Sequence, residues 1–300
     1  MNAVTEKLLL LSHCRGLSPA NLRKLYLIDP SKSLLLSLKP SDYLSLGLVS
    51  QNSSSAFTAD FRSLEPAYIQ KNLEKEGVSF LTMNDSYYPR GLKEIPDPPV
   101  LLFYKGDVSL LLQKHSLGVA GSRACTAYGL DSLTKVLVPL IKKKFVIISG
   151  LAEGIDAAAH RLAINNGGKT IAVLGGGFQH IYPRSNIKLA QDISKNHLLL
   201  SEYPPAMKPQ KWHFPERNRL ISGLSSGLLI PEAKHRSGSL ITAQFALEQG
   251  KEVFAIPGKI SDSTSDGTNE LIKDGAKLVM NYRDILEEFA GVNNETIHPN

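Results

Sequence analysis

A chain of 300 residues has room for one large domain or two smaller ones, and 42% hydrophobic with 21% charged residues is the make-up of an ordinary folded protein, not a disordered one. Lys and Arg number 34 against 28 Asp and Glu, and this net charge of +6 tilts the partner toward an anion without fixing the fold. Cys14 and Cys125 make neither a disulfide framework nor a metal site, no stretch approaches the roughly 18 apolar residues of a membrane span, and Leu8–Leu11 is too short for a signal-peptide core, so a cytoplasmic protein without membrane attachment is expected.

Residues 1–76 read as a small all-helical module. Ser18-Pro19 has the form of an N-cap followed by proline in the first turn, and Leu22, Leu25 and Tyr26 follow at helical spacing. Leucine-rich segments at 31–38 and 41–48 are split by Pro40, and helix resumes over 56–75 with a kink or break at Pro66. The pattern changes at Gly77. Short apolar strands are expected at 78–82, 100–104, 116–120, 145–148, 170–174, 198–200, 227–230 and 252–256. Helices fall between them, near 130–141, 155–162, 218–224 and 239–249, with Pro139 loosening or kinking the first. Nearly all-apolar strands alternating with helices imply a mostly parallel sheet covered on both faces, so 77–290 is read as a Rossmann-like α/β domain and 291–300 as a polar tail.

Three strand ends carry the same punctuation: Gly121-Ser122-Arg123, Ser149-Gly150 and Ser237-Gly238-Ser239. Each falls between the carboxyl end of a strand and the start of a helix, where parallel sheets bind ligands and backbone N–H groups attract anions. Each alone also fits a tight turn with an N-cap; three on one sheet edge favour an anion site, to which Arg123 adds a phosphate-binding fork. The stretch 211–225 mixes Lys211, Arg217 and Arg219 with Trp212, His213 and Phe214, the combination of charge and flat rings that single-stranded nucleic acid requires. Taken alone it fits equally a proline-broken loop feeding a core helix.

Gly168-Lys169-Thr170 imitates the tail of a P-loop, but position 163 is alanine and the triplet precedes a strand, so ATP binding through it is rejected. No acidic ribose partner follows Gly121 at the dinucleotide spacing, which argues against NAD, and no cofactor or metal is expected. Asp156 and His160 are four apart on one helix, yet a capping carboxylate with its i+4 partner explains them without catalysis. Glu202 and Glu232 end strands and suit bonds to neighbouring loop amides.

These turns, together with Tyr182-Pro183, Leu200-Ser201-Glu202-Tyr203-Pro204, Phe214-Pro215-Glu216-Arg217-Asn218-Arg219 and Gly267-Thr268-Asn269, resemble the DNA-processing protein A family (DprA, also called Smf), in order from about 87 to 289. The N-terminal helices resemble the sterile-alpha-motif-like (SAM-like) module of many members. The resemblance implies a non-catalytic protein of natural transformation that binds and protects single-stranded DNA, helps load a RecA-type recombinase, and forms a homodimer. It implies DNA contacts at Ser122, Arg123, Ser149, Gly150, Lys211, Phe214, Ser237, Gly238 and Ser239, with Phe214 stacking on a base, and Gly121, Arg217 and Asn218 complete the expected set. Arg217 has a competing role, tying its loop to Glu202 or Glu232, and Trp212 and Arg184 stay open as further contacts. The dimer or recombinase surface falls on Leu271, Ile272 and Leu278, which also suit core packing. Two alternatives stand: a nucleotide-processing enzyme similar to the phosphoribohydrolases, whose Pro-Gly-Gly-x-Gly-Thr turn is here Pro257-Gly258-Lys259-Ile260, and an adaptor that uses no nucleic acid.

Overall fold

The computed structural model describes residues 1–291; beyond Gly291 the expected tail lies outside the described residues. The chain begins with helices α1 (Ala3–His13), α2 (Pro19–Ile28), α3 (Ser33–Ser37), α4 (Pro40–Ser45), α5 (Ser54–Ser63) and α6 (Pro66–Lys75). Their ends follow local chemistry. Ser18 caps α2 by accepting from Asn21 N, with Pro19 in the first turn, where a missing N–H breaks no helical bond. The segment expected over 56–75 divides: α5 ends at Ser63 and α6 starts on Pro66, because proline inside a helix lacks the needed donor.

The second part runs β1 (Ser79–Thr82), α7 (Arg90–Lys93), β2 (Leu101–Gly106), β3 (Ser116–Val119), α8 (Ala127–Lys142), β4 (Val146–Ser149), α9 (Ile155–Asn165) and β5 (Lys169–Leu174). It continues with α10 (Ile187–Asn196), β6 (Leu198–Ser201), α11 (His213–Leu224), β7 (Gly227–Ile230), α12 (Gly238–Glu248), β8 (Glu252–Ala255), α13 (Asp266–Lys273), β9 (Lys277–Leu278) and α14 (Tyr282–Gly291). Among the described residues the strands form one sheet, in the order β1-β2-β6-β5-β4-β3-β7-β8-β9. The β1–β2 and β2–β6 pairs are antiparallel and the others parallel, which is the mostly parallel, Rossmann-like α/β architecture expected. Helix α8 continues through Pro139. Helices α7, α10 and α13 and strand β9 are additions to the sequence reading.

Alternate residues of strands such as β4, β5 and β7 feed opposite cores. Val146 and Ile148 of β4 face Leu220 and Ile221 of α11, while Ile147 faces Leu137 and Ile141 of α8 and Ala159 of α9. Burial on both faces is why the strands read as apolar runs. Toward the β2 edge, Phe103 and Leu199 pack with Leu73 of α6 and Leu9 of α1; Leu8 and Leu11 of the same α1 belong instead to the helical core with Leu22, Tyr43 and Phe57.

The topology creates one crevice. From β3 the chain steps outward to β4 and β5, and β6 continues that side; β7 then returns to the other side of β3. The loops leaving β3 and β7 diverge there, at the switch point where such sheets bind ligands. Lys169-Thr170 opens β5, and the buried Thr170 Oγ1 donates to the Ile147 carbonyl at 2.7 Å, so the P-loop look-alike is part of a strand.

Candidate nucleic-acid interface

Glycine and carboxylates shape the crevice. A Cβ on Gly121 would lie 2.7 Å from Ile155, so the loop after β3 can meet the start of α9 only as glycine. Gly154 has φ of 72° and passes so close to the loop that a Cβ would lie 2.2 Å from the Ser122 carbonyl. Asp156, in the first turn of α9, accepts from Gly150 N at 3.1 Å and Ala152 N at 3.4 Å and folds the β4 loop back on itself. Glu232, just after β7, accepts from Thr126 N and Oγ1 at the start of α8, while its carbonyl takes Ser122 N at 2.8 Å. The loops on both sides of the switch point are thereby tied to each other.

The result is a cleft of about 890 Å³. Gly121, Ser122 and Arg123 form one wall, Ser237, Gly238 and Ser239 another, and Lys211, Phe214, Arg217 and Asn218 a third. Arg123 and Lys211 are exposed, as is Lys234 on the loop after β7. Among the described residues none of these three cations has an ion pair or hydrogen bond. Phe214 is half-buried, its ring resting over Gly175 at the end of β5 and 5.6 Å from the ring of Tyr182. Tyr182 is 56% exposed and lines the cleft together with a smaller pocket that includes Gly150, Glu153 and Pro183. Loose cations around accessible rings, beside the glycine and serine turns that line the cleft, suit a flexible polyanion that carries flat bases.

The family model of the DNA recombination-mediator protein A matches residues 79–290. The chain belongs to that family. It is 43% identical over 286 residues to the DNA processing protein DprA of Bacillus subtilis (strain 168), covering 94% of each chain. It is 50% identical over 233 residues to the DNA processing protein DprA of Streptococcus pneumoniae (strain ATCC BAA-255 / R6), covering 78% of this chain and 81% of that one. The X-ray structure of DNA processing protein A from Streptococcus pneumoniae superposes with a TM-score of 0.81 at 41% identity, over 96% of this chain and 98% of that one. A structure of DNA processing protein A from Helicobacter pylori, described for its single-stranded DNA binding mode, superposes with a TM-score of 0.65 at 32% identity, over 71% of this chain and 97% of that one.

Ten of the twelve expected DNA-contact positions line the cleft, and Gly150 lines the adjoining pocket. Burial changes the part that two of the twelve play. Ser149 is fully buried and its Oγ donates to the Val119 carbonyl at 2.7 Å, so it braces β4 against β3 beneath the surface instead of meeting phosphate. Arg217 borders the cleft but is only 5% exposed, and its Nη1 donates to the Gly150 and Val173 carbonyls. It is a clamp under the floor. Burial lowers its pKa, opposed by Asp156, and burial raises that of Asp156, opposed by Arg217 and the loop amides. The partner expected for Arg217 is also corrected: Glu202 pairs with Arg219, and Glu232 with Thr126. His160 is not the partner of Asp156; its Nδ1 meets Thr170 Oγ1 at 2.6 Å inside the fold.

Helix α11 starts earlier than expected, at His213, so Phe214 sits in its first turn and Lys211 just before it. Asn218 reaches the start of α12, its Nδ2 donating to the Gly238 carbonyl at 3.4 Å. Trp212 is 62% exposed at the N-cap of α11 and Arg184 is exposed beside Tyr182. Lys234 is absent from the sequence reading, and Tyr182 enters it only as part of the Tyr182-Pro183 motif, without a contact role. Both lie on loops that leave the carboxyl ends of parallel strands, the same rule that located the glycine turns. Of the expected interface residues, Leu271 packs on the sheet core, Ile272 is half-buried and Leu278 is 40% exposed on the edge strand β9.

Proposed function

We propose that this chain binds single-stranded DNA in the switch-point cleft, without breaking a bond, and delivers it to a RecA-type recombinase during natural transformation. The observation that carries the reading is the set of unpaired cations Arg123, Lys211 and Lys234 grouped around the half-buried ring of Phe214. Phosphates lie on the Gly121–Arg123 and Ser237–Ser239 turns, neutralised by the three cations, and one base stacks on Phe214. Backbone turns and a flat ring recognise every base alike, so binding is nearly independent of sequence and weakens with salt. The names of the relatives and the single-stranded DNA binding mode of the Helicobacter pylori protein support this reading.

The acid–base candidates have other duties: Asp156 holds loop amides and His160 is enclosed. This favours binding over catalysis. The working site is the cytoplasm, where incoming DNA meets the recombinase. A homodimer formed through the β9 edge and α13, including Leu278, Ile272 and Leu271, sets two clefts on one strand and raises avidity.

Fluorescence anisotropy with single-stranded, double-stranded and mononucleotide ligands tests the reading. Wild type is expected to prefer the single strand, and the Arg123→Ala/Lys211→Ala double variant to lose affinity, with a salt slope shallower by about 0.7 per cation removed. Unchanged affinity in the double variant refutes the cleft assignment. Preference for mononucleotide with turnover favours the enzyme reading.

A further inference from the structure

We propose that Glu202 and Tyr203 form a bracket that positions the DNA-facing side of α11 and joins it to the N-terminal helices. The proposal rests on the reading that this cleft holds single-stranded DNA.

Helix α11 presents two sides. Phe214, Arg217, Asn218 and Ile221, at positions i, i+3, i+4 and i+7, line the cleft. His213, Glu216 and Arg219, each three apart, turn elsewhere, and all three meet the Glu202-Tyr203 dipeptide after β6. The Tyr203 ring stacks on the imidazole of His213, with centroids 4.0 Å apart and planes at 21°. Its hydroxyl donates to Glu216 Oε2 at 2.7 Å, and Arg219 Nη2 pairs with Glu202 Oε2. Tyr203 is 2% exposed and Arg219 6%. Glu202, Tyr203, His213 and Arg219 are buried while Glu216 is exposed, so rotating the helix separates the buried Arg219–Glu202 pair and leaves the Tyr203 hydroxyl without its acceptor. His213 lies between Lys211 and Phe214 in the chain, so the bracket fixes the turn that carries both. Gln210 N also donates to His213 Nδ1 at 3.2 Å and pins the residue before Lys211 to the same ring.

The far side of the bracket meets the N-terminal helices. Glu202, Tyr203 and Pro204 share a cavity of about 20 Å³ with Leu17, Pro19 and Leu22 at the start of α2. Arg219 Nη1 donates to the Asp97 carbonyl, and the Asp97 carboxylate pairs at 2.8 Å with Arg23 of α2. The seat of α2 is therefore linked to α11 through Arg23, both the carboxylate and the main chain of Asp97, Arg219 and the Glu202-Tyr203 dipeptide, none of which lines the cleft.

Trp212, the only tryptophan and the N-cap of α11, stands edge-on to His213 at 5.7 Å and reports this turn directly. The test uses the full chain, with Tyr203→Phe, which keeps the ring and removes the bond to Glu216, and Arg23→Ala, which cuts the tie at α2. Circular dichroism verifies folding at the working temperature. Each variant is expected to change Trp212 emission and acrylamide quenching in the DNA-free protein, and to weaken single-stranded DNA binding about threefold to tenfold. The salt slope stays that of wild type, since no phosphate contact is removed. Arg123→Ala is the reference whose slope falls. If wild type and Arg123→Ala behave as expected while both bracket variants match wild type in emission and affinity, the bracket is refuted and the cleft stands. A reduced salt slope in the bracket variants also refutes it, by showing a direct charge contact. Failure of wild type to bind single-stranded DNA refutes the cleft reading itself.

Discussion

Phe214 rests over Gly175 and opens into the cleft, so a base has one ring surface to stack on. Phe214→Ala is expected to cost about 1–3 kcal/mol of single-stranded DNA binding and to leave the salt slope unchanged, as anisotropy titrations over a range of salt will measure. Gly154→Ala tests the scaffold instead. At φ of 72°, with a Cβ 2.2 Å from the Ser122 carbonyl, the substitution forces the β3 and β4 loops apart. Loss of about 1–3 kcal/mol or more in thermal unfolding is expected, with DNA affinity falling as well. At this scale the sequence was informative about residue types and silent about direction. Arg123, Arg217 and Arg219 read alike as cations near the edge; only packing separates the exposed Arg123 from the Arg217 clamp and the Arg219 ion pair. Ser149 shows the same limit, because a serine at a strand end suits a phosphate turn and a bond to the next strand equally well.

Helix α11 carries both the site and its anchorage, and the buried Arg219–Glu202 pair is part of the latter. Arg219→Met leaves the Glu202 carboxylate buried without its cation. Urea unfolding is expected to show a loss of about 3–5 kcal/mol, and adding Glu202→Leu to recover part of it, since the stranded charge is then gone. The central strands were legible because burial on both faces writes them as apolar runs. The divided helix at Pro66 and the Ser18 cap of α2 were legible because proline and serine act locally. Helices α10 and α13 were not, since each buries a narrow stripe, as with Leu189, Ala190 and Ile193 of α10, inside an otherwise polar segment. The start of α11 was placed too late because Pro215 reads as a breaker, whereas within a first turn it is tolerated.

Across the whole molecule, buried imidazoles tie stability to pH. His160 is enclosed, and Thr170 Oγ1, already donating to Ile147, receives its Nδ1–H; His160 Nε2 has no partner. Burial first, then the positive charges of Arg217, His197 and Arg161, brings its pKa down from 6.5 to about 3. The unfolded chain therefore binds a proton that the folded chain refuses. The stability this contributes is complete above 6.5 and is lost as pH falls toward about 3, by up to about 1.4 kcal/mol per pH unit. Burial lowers His197 and His213 in the same direction. Urea melts between about pH 4 and 7 are expected to show this slope, and His160→Gln to flatten it. At this scale the parallel sheet and its switch point followed from the order of strands and glycine turns, while the seat of α1 did not, because a leucine-rich helix does not declare which side faces which neighbour. That seat bears on motion. Leu9 of α1 is embedded in the sheet core and Leu8 and Leu11 in the helical one, so a single helix is pinned from two directions. A hinge between the two cores has nowhere to bend without tearing one side of α1 free, and the two are bound to melt as one cooperative unit.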